Sequence, residues 1–405
     1  MKITATMVAT GVLLAANHAE ALSITLAAGT QARTDPMAQI EGLGTPPANA
    51  NAAEFVLSSA PETLLIAEQD PAQPGKFWLK YPGKLAAGES VTLEFKGWKN
   101  APDEQAGGPT DAFTVLGPTG KTAWTYVAAV DPAPAGKSAA FARSGFIHPL
   151  CAPDGAVLSG TRPADHYHHM GLWHAWTKTH FRGKAVDFWN IGDETGAVRF
   201  KEYRWRHRGQ VWQGAEIRQE HVAWPGKPDE QVVLDEALTL RSWQANEAIV
   251  LDYSYTQKNV ATEPLELEVY RYGGGLGFRG RPDWQKGTSD YLTSEGKSRS
   301  NAHSTRATWL AASGKTDGTQ KGGMVILGHP SNVDAPQRVR TWQDDHGGAV
   351  FANYVPTQEK PISLKPGEKL TLHYRVVTFV GLADAARINA FYLDFANPVS
   401  VTLHP

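Results

Sequence analysis

Alternation of apolar and polar residues at period two dominates this chain. Val91, Leu93 and Phe95 stand on one face of 90–98. Over 248–260, Ile249, Leu251, Tyr253 and Tyr255 share a face, with Asp252 and Ser254 on the other. Successive side chains of a strand point to opposite faces, so such runs predict strands with one buried side. From Phe55 to Val127, FVLSS, TLLIAEQ, KFWLKY, SVTLEFKGW, FTVLG and WTYVAAV predict short strands separated by turns. Longer strands are predicted at 200–212, 214–224, 231–243 and 248–260. Over 264–272, Leu265, Leu267 and Val269 oppose Glu266, Glu268 and Tyr270.

Other segments read differently. Ser23 to Ala28 predicts a strand, and the Ala/Gly/Pro/Asn-rich remainder to about 56 a loop. DPAPAGKSAA, 131–140, reads as a linker, and the stretch from Leu382, LADAARINAFYLDF, as a helix. Leu85-Ala-Ala-Gly88-Glu89 and Leu364-Lys-Pro-Gly367-Glu368 each lead into an alternating strand, which predicts one turn type used twice. The expectation is an all-β protein: a small N-terminal β-sandwich over 22–138, then a larger antiparallel β-sandwich over 139–405.

Composition narrows the function classes. Charged residues are 20% and the net charge is -2 across 405 residues, with no basic face for a phosphate backbone. Nucleic acid is therefore not an expected partner. Lys2, the apolar run Ile3 to Ala16 and Ala19-Glu20-Ala21 fit a secretory signal over 1–21. The apolar run is too short to span a bilayer, so a periplasmic or secreted protein with no membrane partner after signal removal is expected. Cys151 is the only cysteine, which leaves the fold to rest on its core.

Candidate chemistry concentrates in DHYHHMGLWHAW, Asp165 to Trp176, which holds four of the 14 histidines. Imidazole titrates near neutrality and is a common metal ligand. In an extended segment His166 and His168 would point together, as cis ligands of a metal or as an acid/base pair, opposite Asp165 and His169. With a third ligand from His148, Asp165 or a distant residue, His166 and His168 could hold a single divalent metal; otherwise no cofactor is expected. Asp187 and Trp189 share a face in VDFWN, the acid-plus-indole arrangement of a sugar subsite. Arg279 ends a glycine-rich run and could fix a carboxylate or a hydroxyl pair. His329 and Asn332 lie in GHPSN after the strand MVIL, and Glu295 lies on a loop.

Taken in order, Arg143-Ser-Gly-Phe-Ile-His148-Pro, Asp165-His-Tyr-His-His-Met-Gly-Leu-Trp173, Val186-Asp-Phe-Trp-Asn190, Gly274-Gly-Leu-Gly-Phe-Arg279, Ser294-Glu-Gly296, His329-Pro-Ser-Asn332 and Leu364-Lys-Pro-Gly-Glu368 resemble the PmoA-like family, secreted bacterial proteins labelled methane oxygenase. The resemblance spans about residues 55 to 380. It implies an all-β secreted protein in a carbohydrate setting. Methane oxidation is not carried over, because the subunits of that membrane enzyme are integral membrane proteins. Tyr272-Gly273 stands where many relatives carry Lys-Glu, so if that glutamate is catalytic in them, this chain has lost it or uses Glu266 or Glu268 instead.

The expected architecture for the larger unit is a galactose-mutarotase-like supersandwich. The expected function is an exported carbohydrate-active enzyme, a glycoside hydrolase or lyase or a sugar isomerase, with a saccharide ligand. Catalytic candidates are His148, Asp165, His166, His168, His169, Asp187, Glu295 and His329. Trp173, Trp176, Trp189, Arg279 and Asn332 are the substrate-binding candidates. Asp187 and Glu295 would be the carboxylate pair of a hydrolase. The alternatives are a metal-dependent oxidoreductase or oxygenase using the histidines, and a non-catalytic glycan-binding protein.

Overall fold

The alternation over 248–260 is realised in Ala248–Asn259, where Leu251, Tyr253 and Tyr255 are buried while Asp252 and Ser254 are partly open. The computed structural model describes residues 22–102, 112–317 and 320–404. Ala248–Asn259 lies in an eight-stranded antiparallel sheet. Its order is Gly196–Arg208, Gln213–Ala223, Gln231–Ala245, Ala248–Asn259, Lys369–Val380, Lys321–Gly328, Trp309–Lys315, Ser289–Thr293. The first four predicted long strands are thus neighbours, each reversing into the next.

The face bearing Tyr253, Tyr255, Leu238 and Tyr374 packs on a second, seven-stranded sheet. That sheet runs Arg338–Thr341, Phe351–Val355, Gly277–Arg279, Leu172–Trp173, Phe146–Leu150, Thr122–Val127, Ala112–Leu116. It contributes Trp124, Tyr126, Ile147, Phe278 and Tyr354 to the shared core. Two apolar faces in contact make the large sandwich. The opposite face of the eight-stranded sheet carries Trp212, Trp243 and Trp309. There the predicted helix, Ala385–Ala396, covers it with Ile388 and Phe391. Asp384 caps that helix, accepting from the Arg387 backbone N–H at 2.7 Å.

Six strands from residues 23–99, with the C-terminal strand Ser400–His404 as the seventh, form a separate antiparallel ladder around Ile24, Ile40, Phe55, Leu79 and Leu93. Its first strand, Ser23–Ala27, pairs with the C-terminal strand Ser400–His404, so the small unit contains both ends of the described chain. The expected division at 138 meets a different partition: Ala112–Leu116 and Thr122–Val127 pair within the large sandwich. The segment expected as loop before 56 also supplies Met37–Glu41 and part of Ala52–Leu57 to the ladder. Its alternation is masked by alanines, which carry little hydrophobic signal yet bury fully as Ala38, Ala52 and Ala53. The expected signal peptide, 1–21, lies outside the described residues. No helix among the described residues is long and apolar enough to cross a membrane.

Both copies of the repeated turn close alike. Gly88 and Gly367 take φ of 78° and 82°, the left-handed position of a type II turn, and Glu89 and Glu368 accept from Ala86 N–H (2.6 Å) and Lys365 N–H (2.9 Å). The two units are joined by buried ionic contacts. Glu68 meets His207 Nε2 at 3.1 Å, and Asp70 meets Arg241 at 2.6 Å while accepting from Trp78 Nε1.

Candidate active site

The histidine stretch is not extended. Two successive turns shape it, His166 N–H donating to Pro163 O (2.9 Å) and His169 N–H to His166 O (3.0 Å), closed by a bridge between Thr161 and Met170. Turns bring alternate residues to one side. His166, His168 and His169 therefore converge, with ring centroids 4.7 to 5.4 Å apart, where a strand would have separated His169 from the other two. Tyr167 points elsewhere, against Phe141 and under Lys137.

A fourth imidazole comes from a distant loop. His346 sits in the bend after Arg338–Thr341 with φ 53° and ψ 40°, a left-handed conformation uncommon for a residue with a Cβ. Its ring lies 4.5 Å from His166, at 88°, and 4.2 Å from Trp342. Asp165 Oδ2 lies 2.7 Å from His346 Nδ1 and 3.2 Å from His166 Nδ1. One carboxylate thus stands at ion-pair distance from two imidazoles, although the buried His166 Nδ1 has no hydrogen bond aligned with it.

These groups line a cleft of about 110 Å³ with Asn190, Arg271, Tyr272, Arg340, Trp342 and Phe351. At about 30 Å³ per water, it admits one functional group and the edge of a ring. Burial sets the electrostatics. It lowers His166, although Asp165 opposes it. Burial, then His166 and Arg143, take His168 down to about 3. His169 is held well below its ordinary value by burial and by its neighbours. Burial pushes Asp165 up, but His166 and the Arg279 charge outweigh it and leave it lowered. Near neutral pH His166, His168 and His169 are therefore uncharged beside an ionised carboxylate, suited to accepting a proton or a cation.

Other expected site residues have different places. His174, fourth histidine of the stretch, turns into the core. Its Nε2 donates to Glu236 Oε2 (2.8 Å), as does His221 Nε2 (3.0 Å), and Gln257 and Gln219 also donate to that carboxylate. Glu236 can only accept, so four N–H groups satisfy a fully buried charge. Trp173 and Trp189 are core residues packed 4.7 Å apart, and Trp176 donates to Gln257 Oε1. The indole wall of the cleft is Trp342 instead. His148 meets Ser159 Oγ at 2.9 Å and does not line the cleft, so the expected metal set with His166 and His168 is not assembled. Ligand atoms within 4.8 Å of one another occur in two sets among the described residues: Asp165, His166 and His346 at the cleft, and the buried His174, His221 and Glu236.

Asp187 accepts from the backbone N–H groups of Trp189 and Asn190 and from Asn190 Nδ2. Asn190 Oδ1 in turn accepts from Tyr272 O–H at 3.1 Å. Asp187 therefore positions two cleft residues without lining the cleft itself. Glu295 is an exposed turn residue beside Ser294 and Thr293, and His329 and Asn332 lie toward the opposite face of the eight-stranded sheet. There Asn332 bonds both backbone groups of His373. Glu268 pairs with Lys178 and His180, and Glu266 accepts from Ser363. Arg279 does belong to the site, buried with its guanidinium 4.9 Å over Trp342.

The sequence reading missed His346, Trp342, Arg340, Arg271, Tyr272 and Arg143. Two of them were marked indirectly. Arg271-Tyr272 precedes the glycine run, whose role is close packing: a Cβ on Gly274 would lie 2.2 Å from Trp176 and one on Gly277 2.6 Å from Trp189. The glycines let this backbone pass under two indoles and deliver Arg271 and Tyr272 to the cleft.

No curated protein matches the chain. Among solved structures it is similar to the GH36 alpha-galactosidase AgaA from Geobacillus stearothermophilus, with 11% identity and a TM-score of 0.32, over 67% of this chain and 40% of that one. A second is the polysaccharide lyase BACCELL_00875, with 13% identity and a TM-score of 0.27, over 68% and 33%. A third is the galactosidase domain of the alpha-galactosidase-sucrose kinase AgaSK, with 12% identity and a TM-score of 0.29, over 85% and 42%. The chain spans less than half the length of each. Residues 114–392, which include every residue lining the cleft, match the family described as "Family of unknown function (DUF6807)". The chain belongs to that family.

Proposed function

We propose that this chain is an exported carbohydrate-active enzyme that moves a proton at a sugar carbon, a lyase or isomerase. The observation that carries the reading is the approach of Asp165 to His346 and His166, two imidazoles that line one cleft. An aspartate on Nδ1 fixes the tautomer and leaves Nε2 as the base. His346 takes the proton from a carbon beside a carbonyl or carboxyl group, and the electron pair moves toward that group. In an isomerase the imidazolium so formed at His346 returns the proton to the neighbouring atom. In a lyase the pair forms a carbon–carbon double bond, the bond to the adjacent oxygen breaks, and that oxygen leaves with the proton carried by the His346 imidazolium. Trp342, Phe351 and Tyr272 offer apolar faces to a ring, and Asn190 a hydroxyl partner. Export rests on the leader-like composition of 1–21.

Two-carboxylate hydrolysis has less support. It needs a second carboxylate across the bond, and neither Asp187 nor Glu295 lines the cleft. A second reading is favoured by the approach of Asp165, His166 and His346: these groups could hold one divalent cation and serve a metal-dependent reaction.

The test is turnover of a panel of neutral and acidic oligosaccharides by wild type, His346→Gln and metal-stripped protein. Unsaturated or isomerised sugar, lost in His346→Gln and retained without metal, is the expected result. Loss of activity on stripping, restored by one metal, would support the second reading. Binding without turnover throughout would leave a glycan-binding protein.

A further inference from the structure

Two arginines line the cleft, Arg271 and Arg340, and neither has a close carboxylate partner among the described residues. Arg271 makes no hydrogen bond or ion pair among the described residues; its guanidinium lies only over the Tyr270 and Tyr272 rings, at 5.9 and 5.8 Å. Arg340 touches His303 Nε2 at 3.1 Å, and its nearest carboxylate oxygen, of the exposed Asp345, is 3.9 Å away. The two arginines lie close enough for each to feel the other's charge.

Behind them Arg279 is 94% buried, being only 6% exposed, and its Nη1 has no partner. Arg143, 3% exposed, leaves Nε and Nη1 unpartnered, with a single long contact of 3.5 Å to His174 O. Its charge acts on His168, and that of Arg279 on His166 and His169. Against these four cations the cleft offers Asp165, which is already shared between two imidazoles, and the distant Asp345. A buried guanidinium without a partner is costly, and such donors are kept where a ligand completes them. Two other buried arginines do have carboxylate partners: Arg375 binds Asp252 through two nitrogens and Arg33 binds Asp394.

We infer that the cleft takes a saccharide bearing an oxyanion, a uronate carboxylate or a sulfate ester, held by Arg271 and Arg340 with the Arg279 charge behind them. Guanidinium forks match such groups two oxygens at a time. This inference rests on the proposed site and adds its substrate class. It also fits the chemistry: a carboxylate on the carbon that loses its proton collects the electron pair, and nearby guanidiniums stabilise that charge as it develops.

The test measures binding without turnover, by calorimetry on the full chain, with D-glucuronate, D-glucose 6-sulfate and D-glucose. One or both anionic sugars should bind at least about tenfold more tightly than glucose, and the tighter of the two identifies the oxyanion. Arg271→Gln and Arg340→Gln should each remove about tenfold of that affinity, the scale of one charge-assisted hydrogen bond, while leaving glucose unchanged. Arg271 is exposed, so its variant keeps the fold and the test valid if Arg340→Gln fails to fold. Equal binding of all three sugars, or anion affinity unchanged in Arg271→Gln, overturns the inference. Binding of the anion by a protein whose turnover survives His346→Gln would instead sink the proton-transfer reading and leave this one standing.

Discussion

Asp165 Oδ2 stands 2.7 Å from His346 Nδ1, joining a double turn to a left-handed bend from a loop far along the chain. The carboxylate holds the imidazole without touching substrate, which makes Asp165 a positioning residue. Asp165→Asn should lower kcat by about a hundredfold or more, the scale of general acid–base assistance. KM should change little, and Asp165→Glu should recover part of the rate. Because Asp165 is exposed, urea unfolding should shift by no more than about 0.5 kcal/mol. Equal rates for the Asn variant and wild type would remove Asp165 from the mechanism.

The exchange of indoles between core and cleft gives a paired prediction. Trp173→Ala removes a fully buried ring packed on Trp189 and should cost about 3–5 kcal/mol of stability. Trp342 is also buried, so Trp342→Ala should likewise cost stability, but because it removes the cleft wall and the surface under Arg279 it alone of the two should raise KM for a saccharide substrate. Chemical denaturation and steady-state kinetics on both variants check this. A Trp173 variant of normal stability would contradict the assignment.

Beneath the site, Glu236 accepts four N–H groups in a dry core. Burial pushes its carboxyl up, but His174 and His221 outweigh that and hold it well below the usual range. Glu236→Leu strands those donors and should destabilise by about 3–5 kcal/mol, measured by urea titration. A neutral or stabilising result would mean that the network serves something other than stability.

Stability should also depend on pH with a definite sign. His168 titrates at about 3 in the folded chain against an ordinary value of 6.5. Between those values the unfolded chain binds a proton that the folded one does not, so stability falls as pH drops below about 6.5 and is level above it. Each such imidazole contributes a slope of about 1.4 kcal/mol per pH unit within the window. His169 adds in the same direction. Urea midpoints recorded from neutral to mildly acid pH check this, and His168→Gln should flatten the curve by one imidazole's share.

The fold was more legible in the sequence than the site. Long strands such as Gln231–Ala245 announce themselves by alternation, and the helix by its capping aspartate and apolar stripe. Met37–Glu41 was hidden because alanine buries without marking a period. At the site, the cluster 165–169 was visible, but its geometry was not: local hydrogen bonds made turns where an extended segment had been supposed. His346, Trp342 and Arg340 are brought in by pairing between Arg338–Thr341 and Phe351–Val355, which no local pattern encodes. His174 went the other way, drawn into the core by a carboxylate on a neighbouring sheet.

The central claim is proton transfer at a sugar carbon by the Asp165-held imidazoles. The most direct test is turnover of a uronate-containing oligosaccharide in deuterium oxide, followed by mass spectrometry. The account predicts an unsaturated product, or deuterium at the carbon that lost its proton, from wild type and neither from His346→Gln. Heavy oxygen from labelled water at the anomeric carbon, with no deuterium on carbon, would show hydrolysis and contradict it.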